Sequence, residues 1–272
     1  MPWPLINLAV AFLAFGALAR LTPCNPNQRA FVGRDLADNA LYWVFGVLFL
    51  GGTAQLYVRV GAQLLFGAHA PAVTAAIFAG YGPASRLPLV VQSAILLVGM
   101  DFIQYWLHRW LHGETLWPFH AVHHSAEDLD WTAAYRIHPV NFGLYTAASL
   151  ALVQTLGFSP AAFLFLGPFN LVIGPLVHAN LDWTFGPFRY VLASPVFHRW
   201  HHVKDPAVRN RNFAPTFPVF DLLFGTYYMP RGVLPEGYGV EGMPPGFVGQ
   251  MIYPFRAVAG RLLRPRAGQA PA

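Results

Sequence analysis

Histidine is the residue type whose number and spacing could do chemistry in this chain. Ten of the eleven histidines fall within one stretch, where His138 and His178 stand between three tight clusters. The clusters read His108-Arg-Trp-Leu-His112, His120-Ala-Val-His123-His124 and His198-Arg-Trp-His201-His202. Neutral imidazole is the commonest metal ligand in proteins, and ten imidazoles exceed the needs of one tetrahedral ion. The pattern therefore predicts a site for two metal ions.

The types of ligand narrow the kind of metal site. Cys24 is the only cysteine, so neither an intramolecular disulfide nor a thiolate cage is available. The His-Glu-x-x-His pattern of many zinc proteases is absent, and so is a glycine-rich dinucleotide fingerprint. Imidazoles suit zinc, copper, iron and nickel without choosing among them. We expect two ions with about five imidazoles each, open positions for oxygen or water, and electrons from a separate donor.

Each cluster must be carried by an element that turns its imidazoles the same way. On an α-helix, residues three and four positions apart are neighbours on one face. The spacing therefore predicts three helix faces, one for each cluster, that meet inside a helical bundle. Asp101 precedes His108 by about two helical turns, where its carboxylate could orient a metal-binding imidazole.

Composition places these helices in a membrane. Hydrophobic residues make up 55% of the chain and charged residues 11%, far below the roughly 25% of soluble domains. A membrane-spanning helix needs about 20 mostly apolar residues, and several stretches of the chain approach or exceed that length. The sequence therefore predicts an all-α fold, a polytopic membrane bundle of about 4–6 membrane helices with a cytosolic, histidine-rich helical cap. The apolar stretches are Pro4–Ala19, Ala40–Val58, Leu87–Leu107 and Phe142–Val177, the last divided into two helices by a turn at Gly157-Phe-Ser-Pro160.

The remaining apolar region and the charges complete the expected topology. Val60–Tyr81 is broken by glycine and Pro71, so a span and an interfacial or re-entrant helix both stay open for it. His69, within this region, is expected to be an interfacial side chain, and the N-terminus an uncleaved anchor. The net charge of +5 fits a positive-inside bias and contact with anionic headgroups rather than nucleic-acid binding. The histidine clusters are then expected on the cytoplasmic face.

The ordered motifs from about Val90 to Tyr228 resemble the fatty acid hydroxylase/sterol desaturase superfamily of integral membrane di-iron oxidases. The motifs are Asp101-x-x-x-Tyr105-Trp-x-His108-Arg-x-x-His112, Trp117-x-Phe119-His120-x-x-His123-His124-Ser125, Arg136-x-His138-Pro139, His178-x-Asn180 and Pro195-x-x-His198-Arg-x-His201-His202. The resemblance implies O2-dependent hydroxylation or desaturation of a lipid C–H bond at two irons, with all ten histidines as the iron ligands. It also implies a separate electron donor, ferredoxin-like or cytochrome-like, with its reductase. Asn141 departs from the pattern, since many members carry an acidic residue after the His-Pro.

Three further residues are expected to contact metal ligands or substrate: Asp101, Arg136 and Asn180. Arg109, Arg136 and Arg199 could bind lipid headgroup phosphates or pair with Asp128 or Asp130, and ordinary ion pairing or snorkelling stays open for each of the three arginines. The chain is expected to divide into three regions, namely N-terminal membrane-anchor helices (1–86), a fatty acid hydroxylase-like di-iron domain (87–228) and a basic C-terminal tail (229–272).

Two alternatives stand beside a lipid hydroxylase. A desaturase on the same scaffold is the nearest, because the spacing of the histidines does not separate the two reactions. A non-catalytic metal-binding or metal-transport membrane protein would place ionisable residues along its spans. The histidines lie mainly at or beyond the ends of the apolar stretches, which favours an enzyme. Sterols, hopanoids, fatty acyl chains, carotenoids and lipid headgroups all stay open as substrates.

Overall fold

The computed structural model describes residues 3–28, 34–66 and 80–263, and this part of the chain is helical, with no strand. An isolated antiparallel bridge joins Val203 and Tyr238. The predicted all-α class is therefore confirmed. The α-helices of the described residues are α1 (Trp3–Leu21), α2 (Arg34–Phe66), α3 (Leu89–Leu111), α4 (Trp117–His120), α5 (Pro139–Leu156), α6 (Pro160–Phe165), α7 (Gly167–His178), α8 (Pro195–His201), α9 (Pro206–Arg209), α10 (Val219–Leu223) and α11 (Phe247–Leu262). Short 3₁₀ turns within the same residues lie at Pro83–Arg86, His123–Ser125, Trp131–Tyr135 and Gly186–Tyr190.

One helix in the described part of the chain, α3, is long and apolar enough, by length and composition, to cross a membrane. A shorter apolar segment, Ala9–Leu21, forms much of α1. The predicted span Ala40–Val58 lies inside α2, which runs for 33 residues into the start of the ambiguous region Val60–Tyr81. Most of the rest of that region, including His69, lies outside the described residues. The larger number of membrane helices stays a prediction.

The region predicted as two helices, Phe142–Val177, is divided among three, α5, α6 and α7. The expected turn is present, because α5 ends at Gly157, which has φ +64°, and the Ser159 side chain caps α6. A Cβ on Gly157 would lie 2.2 Å from the Gly82 nitrogen, so only glycine allows this close approach. The additional break comes where Pro168 occupies the first turn of α7, a position that tolerates a residue without an N–H group.

Four helices, α3, α5, α6 and α7, support the histidines. α3 packs against α5 and α6 around the buried side chains of Leu96 and Phe158. α7 packs on α8 and on the turn Trp131–Tyr135, where Phe15 of α1 stacks on Trp131 with ring centroids 5.7 Å apart. The C-terminal ends of α3 and α7 thereby meet α4 and α8, and the histidine clusters lie at this junction.

Candidate metal centre

Nine of the predicted metal ligands converge in two adjacent groups at these helix ends. In each group, one ring nitrogen from every histidine lies within 4.8 Å of all the others. The five-histidine group consists of His108, His112, His120, His124 and His201. The four-histidine group consists of His123, His178, His198 and His202. All but His112, which is half-buried, are buried, so the imidazoles form a core of their own.

The two His-x-x-His-His clusters each contribute to both groups. In the first of them, the outer pair, His120 and His124, belongs to the five-histidine group and the middle residue belongs to the four-histidine group. The last cluster is arranged the other way round, with His201 alone in the five-histidine group. The rings of His124 and His202 stack with centroids 4.3 Å apart, so the two groups are in direct contact. A change in either cluster therefore affects both groups.

The elements that carry the clusters differ in part from the three helix faces predicted. α3 carries His108 and is capped by His112, and α8 carries the last cluster, so the prediction of a helix is confirmed for these two. It is wrong for the middle cluster. There α4 has a single turn that ends at His120, and the next two histidines lie in the 3₁₀ turn His123–Ser125. Because a 3₁₀ turn is wound more tightly than an α-helix, it rotates the side chains that follow it.

The ring nitrogens face one another at distances that suit a shared cation. Two imidazole nitrogens bound at right angles to one ion, each about 2.1 Å from it, are about 3.0 Å apart. The Nε2–Nε2 distances in the five-histidine group are 2.9 Å for His108–His120 and 3.2 Å for His120–His124. In the four-histidine group they are 3.2 Å for His123–His178, 3.1 Å for His178–His198 and 3.1 Å for His198–His202. These are the separations of neighbouring ligands on one metal.

Hydrogen bonds at the opposite ring nitrogen leave Nε2 available to a metal. A backbone carbonyl can only accept, so an imidazole Nδ1 that faces one must carry the ring proton. His123 and His178 are both of this kind, and their unprotonated Nε2 atoms point at each other. A cation between them removes the repulsion of the two lone pairs. The acceptors, at 2.7–3.2 Å, are the carbonyls of Phe213 for His108, Arg211 for His201, Gly174 for His178 and Arg136 for His123, and Asn210 Oδ1 for His112.

Burial keeps these imidazoles neutral, which is the form that binds metal. It lowers the pKa of His123 to about 4 and the pKa of His124 well below its usual range. Nε2 of His112 and Nε2 of His201 are buried and have no hydrogen-bond partner among the described residues. An unsatisfied buried nitrogen costs about 1–3 kcal/mol, a cost that coordination to a metal removes. The residues present therefore fit a pair of imidazole-bound metal ions.

His138, the tenth predicted ligand, lies outside both groups. Its Nδ1 accepts a hydrogen bond from the Val140 N–H at 3.2 Å and so caps the start of α5. Its Nε2 faces the Met251 carbonyl on α11, also at 3.2 Å. Both ring nitrogens are engaged, and the two sets of about five ligands expected from the sequence become sets of five and four.

Asp101 and Asn180, both expected near ligands or substrate, have different surroundings. Asp101 is buried, its Oδ2 accepts from the Phe217 N–H at 2.9 Å, and its Oδ1 has no partner in the described part of the chain. It lines the same cavity as histidines of both groups. Asn180 instead binds the backbone of Asn25, with Oδ1 2.9 Å from its nitrogen and Nδ2 3.1 Å from its oxygen. Asn180 therefore positions the segment that follows α1.

Arg136 connects α2 to the four-histidine group. Its carbonyl accepts from His123, and its guanidinium donates to Asp35 at 2.8 Å and to Ser125 Oγ at 3.0 Å. The ion pair is therefore with Asp35 on α2, and the pairing of Arg136 with Asp128 or Asp130 was wrong. The side chain is fully buried, so it does not reach a lipid headgroup.

Arg199 is also fully buried and lies between the last cluster and the chain that follows α1. It donates to the Leu129 carbonyl at 2.6 Å and to Gln28 Oε1 at 3.0 Å. Its guanidinium also lies 4.7 Å from the centre of the Tyr238 ring. The buried guanidinium of Arg199 therefore does not reach a lipid headgroup, one of the roles considered for it, and the side chain secures α8.

Segment 210–214, for which the sequence predicted no role, supplies three of the hydrogen bonds to the five-histidine group. Asp221 holds this segment by accepting from the N–H groups of Phe213 at 2.7 Å and Ala214 at 2.9 Å, and from the Thr226 hydroxyl at 2.6 Å. Burial raises the pKa of Asp221 to about 6, so the carboxylate is still ionised at neutral pH. The signal in the sequence was a lone acidic residue within the apolar turns of α10.

One cavity adjoins the histidines, and a second lies next to it in the apolar bundle. One, of about 570 Å³, lies among α3, α5 and α7 and is bordered by histidines of both groups. The other, of about 930 Å³, is lined by α1, α2, α5 and α7. Ala134, Ile137 and Phe142 line both cavities and form the wall between them. The cavity beside the imidazoles and the cavity in the apolar bundle are therefore neighbours that share these three side chains.

Comparison with known proteins supports the resemblance. The family described as fatty acid hydroxylase matches residues 93–226, a segment that contains all nine grouped histidines. No solved structure matches the chain significantly.

Several curated proteins are similar to this chain. It is 30% identical to ornithine lipid hydroxylase OlsE of Rhizobium tropici over 210 residues, which are 76% of this chain and 63% of that protein. It is 31% identical to alkylglycerol monooxygenase of Xenopus tropicalis over 134 residues, 49% of this chain and 30% of that protein. It is 31% identical to very-long-chain aldehyde decarbonylase GL1-6 of Oryza sativa subsp. japonica over 150 residues, 50% of this chain and 23% of that protein. The chain spans less than two thirds of the length of each of these relatives.

Proposed function

The chain belongs to the fatty acid hydroxylase/sterol desaturase superfamily, and from this premise we propose that it is a membrane-bound di-iron oxygenase that hydroxylates a C–H bond of a lipid. The metals are two irons, the co-substrate is O2, and the electrons come from a separate ferredoxin-like or cytochrome-like donor with its reductase. The observation that carries the proposal is the placement of two imidazole groups against the cavity of about 570 Å³.

The nine grouped histidines would hold the irons, through Nε2 wherever Nδ1 donates to a carbonyl. Iron held in this way supplies the activation of O2 for attack on a C–H bond. The protein orients the rings through the acceptors at the other nitrogen, an arrangement that fixes the tautomer of each ligand. Three of the four-histidine group, His123, His178 and His198, line the cavity, and this group has one imidazole fewer than its neighbour. We therefore place the substrate on the side of the four-histidine group.

The cavity walls suit a lipid that also carries a polar group. Leu97, Leu150 and Val153 supply apolar walls that keep water from the reacting carbon. Among them lie two buried oxygens, Asp101 Oδ1 and Asn141 Oδ1, that meet no donor in standard hydrogen-bond geometry in the described residues, with Thr216 beside Asp101 and His120 beside Asn141. A hydroxyl, amide or ammonium group of the substrate would satisfy these oxygens. The names of two relatives, which act on ornithine lipid and alkylglycerol, favour a polar lipid of this kind.

We further propose that the chain is a multi-pass membrane protein with both histidine groups at the cytoplasmic face. The apolar helix α3 supports this placement, because it ends at His112, within the five-histidine group. An electron donor in the cytosol would then approach the metals without crossing the bilayer.

The test joins metal analysis of the purified full chain with lipidomics of cells that do or do not express it. The proposal expects about two irons per chain and a lipid that gains one oxygen atom only when the gene is present. His123→Ala and His178→Ala should each abolish the product, while His69→Ala, which changes the histidine farthest from the clusters in sequence, should not.

Each contrary result has a definite meaning. A lipid that loses two hydrogens instead of gaining oxygen identifies a desaturase. Iron bound as expected with an unchanged lipidome identifies a metal-binding protein without this activity. Well-folded protein that takes up no metal would overturn the proposal altogether.

A further inference from the structure

The C-terminal helix α11 turns an apolar face away from the rest of the protein. The large side chains of Val248, Ile252, Phe255 and Leu263 are 67%, 41%, 55% and 82% exposed. Their successive spacings of four, three and eight residues place them in one stripe along the helix and its C-cap, with Phe255 at the edge of the stripe nearest the protein. A surface helix of a soluble domain turns such a stripe inward, so this orientation requires an apolar environment outside the protein.

The opposite face of α11 is fixed and cannot rotate to cover the stripe. The Phe247 N–H donates to Asp38 Oδ1 on α2 at 3.1 Å, and the Phe247 ring packs on Tyr42 with centroids 4.8 Å apart. Gln250 and Pro254 are buried on this side. The helix is therefore held by its more polar side.

The sequence of α11 and of the residues that follow it contains only positive charges. From Gly242 to Ala272 the sequence contains four arginines and no aspartate or glutamate. Arg256 is exposed beside the stripe, whereas Arg261 donates to the Glu114 carbonyl. An amphipathic basic helix of this length lies in the plane of a membrane interface, with its apolar face among acyl chains and its arginines at anionic headgroups.

His138 links this helix to the metal-binding region. Its Nε2 faces the Met251 carbonyl, and its ring lies 5.6 Å from that of Phe255. Phe255 also packs on Phe119, with centroids 5.5 Å apart, and Phe119 immediately precedes His120 in α4. α11 therefore packs against α4, the helix that carries the predicted iron ligand His120.

We propose that α11 lies in the headgroup region of an anionic leaflet and that His138 fastens it to α4. The inference rests on the proposed membrane location of the chain, but it does not depend on iron or on the reaction. Charge complementarity selects the anionic leaflet as the occupant of the stripe, since α11 carries Arg256 and Arg261 and no acidic residue, and these charges oppose a second copy of the same helix.

Spin labelling of the full chain in nanodiscs tests the position of the helix. In a Cys24→Ser background, single cysteines replace Ile252 in the stripe or Val233, which is similarly exposed but precedes α11. In discs that contain phosphatidylglycerol, the label at 252 should be relaxed by O2 and shielded from a water-soluble nickel chelate, and the label at 233 should show the reverse. Arg256→Gln should reduce the docked-to-free ratio about fivefold, equivalent to about 1 kcal/mol per arginine at an anionic surface.

Three outcomes overturn the proposal. They are equal nickel accessibility at 252 and 233, no difference between phosphatidylglycerol and pure phosphatidylcholine discs, and dipolar broadening at 252 that reveals a second copy on the stripe. Because the readout is accessibility, inactive or metal-free protein gives the same answer. Failure of the hydroxylase proposal is therefore distinguishable from failure of this one.

A second pair of variants separates a fastening role of His138 from a metal-binding one. His138→Ala should mobilise the label at 252 and leave the iron content at the wild-type level. His138→Gln, which keeps a donor for the Met251 carbonyl, should restore the immobile label. Loss of iron in His138→Ala would contradict the assignment and return His138 to the ligands.

Discussion

Replacement of Asp221 by asparagine should weaken metal binding at the five-histidine group and spare the four-histidine group. The carboxylate is fully buried, and its two oxygens accept from the Phe213 N–H, the Ala214 N–H and the Thr226 hydroxyl. An amide of the same shape offers one accepting oxygen and one donor group. In either orientation, the NH2 group of the new amide faces the backbone N–H of Phe213 or of Ala214, and that N–H group loses its acceptor.

The size of the effect follows from these contacts. One orphaned buried N–H costs about 1–3 kcal/mol, and a middle value of about 2 kcal/mol is a factor of about 30 in an equilibrium constant. Segment 210–214 supplies the acceptors for Nδ1 of His108, His112 and His201, which are three of the five rings in the group. Loss of a hydrogen bond that orients a metal ligand typically lowers metal affinity about 10–100-fold, which agrees with that estimate.

The assay measures iron retained by the purified full chain during graded exposure to a chelator. His112→Ala and His178→Ala provide the references for loss from the five- and four-histidine groups, and Asp221→Asn should follow His112→Ala. Glu241→Gln, which changes an exposed carboxylate paired with Lys204, is the matched control. Iron retention equal to that of the wild type, or equal loss from both groups, would refute the role assigned to the segment.

Three further perturbations test the scaffold. Arg136→Met leaves the partly exposed Asp35 carboxylate and the buried Ser125 hydroxyl without their guanidinium partner and should lower the free energy of unfolding by about 1–3 kcal/mol, whereas Arg231→Met at an exposed position should not change the melting temperature. Gly157→Ala should have a lower melting temperature than Gly186→Ala. Both positions have positive φ, but only a Cβ on Gly157 meets backbone, 2.2 Å from the Gly82 nitrogen. Equal melting temperatures would show that φ alone matters. Wild-type protein exposed to a chelator should lose iron in two phases, the four-histidine group first because it has one imidazole fewer, and a single phase would contradict separate groups.

The helical positions of the outer clusters could be predicted from spacing alone, but the division into groups could not. On an α-helix, position i+4 lies about 40° from i, while i+3 lies about 60° to the other side. A His-x-x-His-His helix that sits between two ions can therefore give its outer pair to one and its middle residue to the other, as α8 does. Which ion receives the pair depends on tertiary packing, which local spacing does not contain.

The position of His138 and the role of segment 210–214 have local causes. His138 precedes Pro139, and a residue before a proline that starts a helix is an N-cap, whose side chain accepts from the first turn. That geometry commits Nδ1 of His138 and competes with a role as ligand. Two of the three acceptors in segment 210–214 are backbone carbonyls, which leave no trace in residue types, and the third is the side-chain oxygen of Asn210. Only Asp221, an acid within an apolar helix, pointed toward it.

The scaffold positions the imidazoles through atoms that do not bind metal. Four rings donate from Nδ1 to backbone carbonyls, and Arg199 joins α8 to the carbonyls of Leu129 and His178, at 2.6 and 3.3 Å. These bonds do not use Nε2, so the rings are oriented by the fold itself, unlike the ligands of a zinc finger, which become ordered only when metal binds. The rings therefore lose most of their conformational entropy when the protein folds, so this loss does not reduce the affinity for metal. Because each His-x-x-His-His cluster contributes to both groups, the bonds that orient the rings of one group also orient rings of the other. The four-histidine group, which has fewer imidazoles, is the one that lines the cavity with most of its members.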